Sequence, residues 1–184
     1  MRIIGGSAKG IRLAPVPEGV RPVSDMAREG VFSSLGAIVP EARVLDLYAG
    51  TGAMGMEALS RGAEHAVLVE RDRAAVRAIR DNLGRTRLAE QAEIVAGDVT
   101  RFVTRDDKSQ GPFELVLADP PYEAPLDEVE GVLEALSAGW LSGEGSRVVL
   151  TRPSRSSTLV IPVHFSVARR LTYGDTLVLI IREA

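Results

Sequence analysis

The sequence predicts an α/β fold, with a mixed β-sheet, helices on both faces and a small β extension ahead of it. Three observations carry this. Strand-like and helix-like segments alternate from residue 43 onward. The strand-like runs 44–48, 65–70 and 114–118 are almost unbroken in apolar residues, as in a parallel sheet buried on both faces. The last two runs, 165–171 and 177–181, lie too close in sequence for a crossover, so they pair as a hairpin and make one strand antiparallel.

Residues 1–22 read as a β-hairpin or arm, and residues 23–184 as one domain. Gly5, Gly6, Gly10, Gly19, Pro15, Pro17 and Pro22 divide the arm into apolar stretches too short to fold alone. Ser24 caps a helix running to about Leu35, with Ala27, Val31 and Leu35 repeating every four residues. The first strand, 44–48, ends in glycines. Helix 54–61 follows, with Gly62 just past its C-cap. Strand 65–70 leads to helix 72–83, whose Val76, Ile79 and Leu83 share one face, with Gly84 expected behind its end. Arg71, Arg73, Arg77 and Arg80 read as the solvated side of that segment. Residues 92–96 form the third strand and 114–118 the fourth, with a short segment 99–103 that Asp98 is placed to cap. Helix 126–136 and strand 147–151 precede the hairpin. Trp140, before a glycine-rich turn, reads as a core or cap residue rather than a base stacker.

The 184 residues suit one domain, and a 45% hydrophobic content is enough for a real core. With no cysteine, disulfides, thiol catalysis and cysteine-based metal sites are excluded. The two histidines, His65 and His164, are far apart, so no metal centre or Ser-His-Asp hydrolase is expected. No apolar run is long enough to span a bilayer, and the N-terminus lacks the apolar core of a signal peptide. A soluble, cytoplasmic, monomeric protein without membrane contact is expected. The net charge of −3 hides an asymmetry: +2 over residues 1–30, −9 over 31–146 and +4 over 147–184. Two basic ends flank an acidic middle, which favours a polyanion partner at one side of the molecule.

Gly50-Thr51-Gly52-Ala53-Met54-Gly55 matches G-x-G-x-x-G directly after a strand and at the start of a helix. Glu70 ends the next strand, where a carboxylate can accept both hydroxyls of a ribose. A dinucleotide and S-adenosylmethionine (SAM) would both use these parts. Asp46 favours SAM. It sits inside an apolar strand, where a carboxylate needs a partner, and the ammonium of the methionine moiety is such a partner. Gly97 and Asp98 follow the third strand, where the carboxylate can accept from the adenine amine. The expected cofactor contacts are Asp46, Tyr48, Ala49, Gly50, Thr51, Gly52, Glu70, Arg71, Gly97, Asp98 and Val99.

Asp119-Pro120-Pro121-Tyr122 leaves the fourth strand at its carboxyl end, where ligands bind in open α/β sheets. The two prolines stiffen the backbone and remove two donors, leaving carbonyls free to accept. An exocyclic amine on a base is a poor nucleophile because its lone pair is delocalised into the ring. Acceptors on Asp119 and the Pro120 carbonyl can hold its hydrogens and draw the nitrogen toward tetrahedral geometry. Tyr122 offers a face on which an extruded base stacks.

These motifs resemble the bacterial ribosomal RNA small-subunit methyltransferase D family. The likeness runs from the opening Met1-Arg2-Ile3-Ile4-Gly5-Gly6 and Lys9-Gly10, through Arg21-Pro22 with Asp25, Arg28, Glu29 and Phe32, to Asp46–Gly52, Asp119–Tyr122 and Tyr173-Gly174-Asp175-Thr176. Met26 and Ser33 depart from the family pattern, which has a basic residue and often Asn there. The resemblance implies a class I, Rossmann-like SAM-dependent methyltransferase with a seven-stranded sheet. It implies methylation of N2 of guanine 966 in 16S rRNA within the small ribosomal subunit or its assembly intermediate, with S-adenosylhomocysteine as product. It also places Arg28 and Glu29 near the cofactor mouth. Arg2, Lys9, Arg12, Arg21 and Arg28 are candidate RNA contacts.

Two rivals stay open on sequence alone. Asp-Pro-Pro-Tyr also suits an adenine-N6 methyltransferase, although such enzymes usually carry a separate target-reading domain. A dinucleotide-binding oxidoreductase or nucleotide-binding module explains the glycine turn and Glu70, but not Asp46 or the proline pair.

Overall fold

The computed structural model describes residues 1–15, 23–155 and 159–183. Helix α1 (Asp25–Leu35) begins at Ser24, whose hydroxyl accepts from the Ala27 amide. Then come β1 (Arg43–Leu47), α2 (Ala53–Ser60), β2 (His65–Glu70), α3 (Arg73–Thr86) and β3 (Ala92–Ala96). Helix α4 (Val99–Thr104), β4 (Leu115–Ala118), α5 (Leu126–Ser137), β5 (Arg147–Pro153), β6 (Phe165–Tyr173) and β7 (Thr176–Glu183) complete the chain.

The seven strands form one sheet in the order β3-β2-β1-β4-β5-β7-β6. The pairs among β1 to β5 are parallel, and β7 runs antiparallel to both its neighbours. The strand order reverses between β1 and β4, which opens a crevice above their carboxyl ends.

Successive strand residues point to opposite faces. Val44, Leu68, Leu117, Val149 and Ile180 meet α1, α2 and α3 on one face. Leu45, Val67, Val116, Val148 and Leu179 meet α4 and α5 on the other. Trp140 is fully buried in the second layer, stacked on Phe102 with centroids 4.8 Å apart, and its indole N–H donates to the Val103 carbonyl at 2.8 Å.

Several boundaries differ from the sequence expectation, most of all at α3 and at the C-terminal strands. Helix α3 runs through Gly84 to Thr86, and Arg87, at φ 60°, supplies the left-handed cap. Leu83 and Thr86 are both buried, and the Thr86 hydroxyl donates back to the Asn82 carbonyl at 2.8 Å. Their packing outweighs the roughly 1 kcal/mol that a mid-helix glycine costs. The hairpin strands and β5 are also longer than expected, because their ladder continues to the Pro153–Thr176 pair.

The described part of the arm folds back on itself through the bridge Arg2↔Arg12 and docks on α2. Ile3, Ala8 and Leu13 join the core of the first face. Buried Glu57 accepts from the amides of Ile4 and Gly5, each at 2.8 Å. The Ser60 hydroxyl accepts from the Ala8 amide at 2.9 Å, and the Ser60 carbonyl from that of Ser7 at 2.7 Å. Among the described residues, no helix is long and apolar enough to cross a membrane.

Candidate active site

A cavity of about 410 Å³ opens at the carboxyl ends of β1 to β4. That volume lies in the range of small-molecule sites. The turn after β1, the end of β2, the start of α4 and the turn after β4 wall it.

Buried Asp46, on β1, points to the α2 face, and its Oδ2 accepts from the Gly55 amide at 2.8 Å. This approach needs a glycine, since a Cβ at position 55 would stand 3.0 Å from that oxygen. Burial holds the Asp46 pKa well above the usual carboxylate range. The Gly55 bond opposes this, and the charges of Asp119 and Glu70 add to it. Tyr48 turns the chain at φ 58°, an uncommon conformation for a non-glycine residue. Its hydroxyl lies 3.4 Å from Glu128, and burial followed by that carboxylate pushes the phenol pKa up.

Glu70 braces the glycine turn. One of its oxygens accepts from the Gly50 amide and the other from the Asp72 amide, each at 2.8 Å. Asp98 uses Oδ1 to cap α4, accepting from the Arg101 amide at 3.0 Å, while its Oδ2 lies 3.7 Å from Arg71. The expected cap is thus present, and Asp98 also lines the cavity.

Asp119, leaving β4, sits beside β1. Its carboxylate accepts a hydrogen bond from the Thr151 hydroxyl on the neighbouring β5. Burial pushes its pKa up to about 6 against the lowering effect of that bond. Pro120 is buried, while Pro121, Tyr122 and Glu123 continue the rim.

Of the expected cofactor and catalytic residues, the structure brings Asp46, Tyr48, Ala49, Gly50, Thr51, Glu70, Arg71, Asp98, Val99, Asp119, Pro120, Pro121 and Tyr122 to this cavity. Gly52 and Gly97 shape its turns without lining it. Six carboxyl residues and two arginines border it, so its lining is acidic on balance. Among the described residues, no cluster of His, Asp and Glu is placed to hold a metal.

The expected RNA contacts separate into three groups. Arg2, Lys9 and Arg12 are exposed on the arm, with Arg2 3.6 Å from Asp25. Arg21 lies outside the described residues. Arg28 is corrected: it is fully buried, with Nη2 donating to the Arg2 carbonyl at 2.7 Å and to Asp25 at 2.6 Å, so it offers no surface contact to a phosphate. It borders the cavity instead, whereas Glu29 is exposed and does not.

Sequence reasoning missed Thr151, Asn82 and Glu57. A carboxylate in the otherwise apolar stretch Met54–Leu59 was a visible signal for Glu57. Asn82 links the Thr51 carbonyl, at 3.0 Å, to the Ala14 amide of the arm, at 2.7 Å. Nothing local in the sequence marks Asn82 or Thr151, because each acts across the fold.

A family model described as conserved hypothetical protein 95 matches residues 1–182. The Escherichia coli K12 protein named ribosomal RNA small subunit methyltransferase D is 35% identical over 178 residues, covering 95% of this chain and 86% of that one. The solved Thermus thermophilus hypothetical protein TTHA0928 superposes with a TM-score of 0.82 at 35% identity, covering 100% of this chain and 99% of that one. Mitomycin 7-O-methyltransferase MmcR, at 19% identity and a TM-score of 0.60, shares the fold over 78% of this chain and 49% of its own.

Proposed function

The chain belongs to the family described as conserved hypothetical protein 95, with the class I, Rossmann-like methyltransferase fold, and from this premise we propose that it is a SAM-dependent rRNA methyltransferase. Its substrate is the exocyclic N2 amine of a guanine, guanine 966 by family resemblance, in 16S rRNA of the small ribosomal subunit. The observation that carries this reading is the convergence of Asp46 and Asp119, from adjacent strands, on one carboxylate-rich cavity.

The residues present fit the cofactor. The cavity has the size of a small-molecule site, and its acidic lining suits a sulfonium and an ammonium. The same lining disfavours the diphosphate of a dinucleotide, which weighs against the oxidoreductase reading. Bound SAM supplies an electrophilic methyl group. Asp46 would hold its ammonium, and Glu70 and Asp98 would hold the ribose and adenine ends. The Asp119 carboxylate and the Pro120 carbonyl accept from the amine and aim its lone pair along the transfer line. Tyr122 stacks on the base. On transfer of that methyl group the amine nitrogen would shed one proton, which Asp119 or water would take, leaving the product amine neutral.

The test uses small subunits that lack the modification, incubated with labelled SAM, with the labelled nucleotide then mapped. N2-methylguanine in 16S rRNA is the expected product, and N6-methyladenine would replace this reading with the adenine one. Asp119→Ala is expected to lower the rate by at least about 10²–10³-fold while SAM affinity, read by calorimetry, stays within a few-fold. Wild-type turnover by that variant would remove Asp119 from the chemistry.

A further inference from the structure

Arg152, near the end of β5, is a buried cation that its surroundings do not pair. It is only 6% exposed, and its Nε and Nη1 are enclosed with no hydrogen-bond partner among the described residues. The acids near this end of the sheet are engaged elsewhere. Asp119 holds the Thr151 hydroxyl, Glu128 lies 3.4 Å from the Tyr48 hydroxyl, and Glu130 accepts from the Val160 amide at 2.8 Å. An enclosed guanidinium is costly unless something neutralises it, so its presence here requires an explanation.

Its place in the fold supplies one. Strands β4 and β5 run parallel, with Ala118 opposite Leu150. One residue on, Asp119 meets Thr151, and two residues on stand Pro120 and Arg152, both buried. Neighbouring strands lie about 4.8 Å apart. The cation is therefore one strand's width from the turn that presents Asp119 and Pro120. Arg152 does not line the main cavity, so it faces no ligand held inside it. Past it, Pro153, Ser154 and exposed Arg155 border a second hollow at the same edge of the sheet, with Gly174 and Asp175 of the β6–β7 turn.

We propose that Arg152 is the seat for a backbone phosphate of the RNA, next to the nucleotide whose base enters the cavity. This rests on the rRNA reading above. A guanidinium suits a phosphate in charge and in donors, and enclosure strengthens the pair. The free protein carries the cost of an unpaired charge, and the bound phosphate relieves it.

The experiment uses the full chain and small subunits assembled from unmodified 16S rRNA that has been ethylated at random phosphates. Bound and unbound fractions are mapped. With wild type, ethylation at a phosphate adjoining the target guanine is expected to be depleted from the bound fraction. With Arg152→Met that depletion is expected to vanish, while depletion at other phosphates persists. The same variant should lower the log–log salt slope of binding by about 0.7 and raise the melting temperature of the free protein, whereas Arg152→Lys should keep the slope. An unaltered depletion pattern in Arg152→Met would overturn the assignment, as would a lower melting temperature with an unaltered slope. If wild type methylates the subunits with no depletion at either adjoining phosphate, the assignment falls and the rRNA reading stands, even where Arg152→Met fails to fold. If wild type neither binds nor methylates them, both fall.

Discussion

Asp119 is a carboxylate whose site works against its charge. Its raised pKa, about 6, has burial as its cause. The proposed role as acceptor requires the ionised form, so activity should fall as pH drops through about 6, as a pH–rate profile would show. Stability runs the other way. The folded state binds this proton more tightly than the unfolded chain does, so Asp119's contribution favours folding at low pH and is lost as pH rises from about 4 to about 6. Asp119→Asn should therefore raise the melting temperature at neutral pH while abolishing turnover. Thr151→Val removes the bond that lowers this pKa, and should move the acid limb upward, with Thr151→Ser restoring it. At this scale the sequence was most legible where a chemistry-bearing residue stands out against an apolar strand, inside it as Asp46 does or at its carboxyl end as Glu70 and Asp119 do. It was silent on Thr151, whose meaning comes from the pairing of β5 with β4. It misplaced Arg28, since an arginine on a helix gives no local sign of being enclosed.

The arm and α2 form a unit whose stability depends on one tight approach. A Cβ on Gly6, at φ 76°, would fall 1.6 Å from the Ser60 carbonyl oxygen. Gly6→Ala should lift the arm from α2 and destabilise the protein by about 1–3 kcal/mol. That would read as a melting temperature several degrees lower, with faster exchange of the Ile3 and Gly10 amides, which bond across the turn. Element types and order were readable because burial on both sides leaves unbroken apolar strands and one-sided helices. Ends were less readable, because packing decides them: α3 passes through Gly84, and the β5–β7 ladder outlasts the apolar run.

At the level of the whole molecule, the two basic ends of the chain come together. Gly30 of α1 lies so close to Tyr173 at the end of β6 that a Cβ there would stand 1.7 Å from its hydroxyl. Helix α1, which Arg28 ties to the arm, thus reaches the edge strand that carries exposed Arg169 and Arg170. Charge asymmetry was visible in the sequence, but the meeting of its ends was not, since it depends on strand order. With rRNA as ligand, replacing Arg169 and Arg170 by Ala should weaken binding across sequences and flatten the salt dependence by about one unit or more of log–log slope. Filter binding over a salt series would measure it, and an unchanged slope would take these two residues off the RNA path.

The crevice between β1 and β4 has a bearing on biosynthesis. Its two walls are made far apart along the chain, at Asp46 and Asp119, and become neighbours only through Asp46↔Leu117 and the pairs around it. A nascent chain that has emerged as far as β3 already carries the glycine turn, yet lacks the Asp119 wall of the cavity. The cavity is therefore completed late, when the fourth strand slots in beside the first.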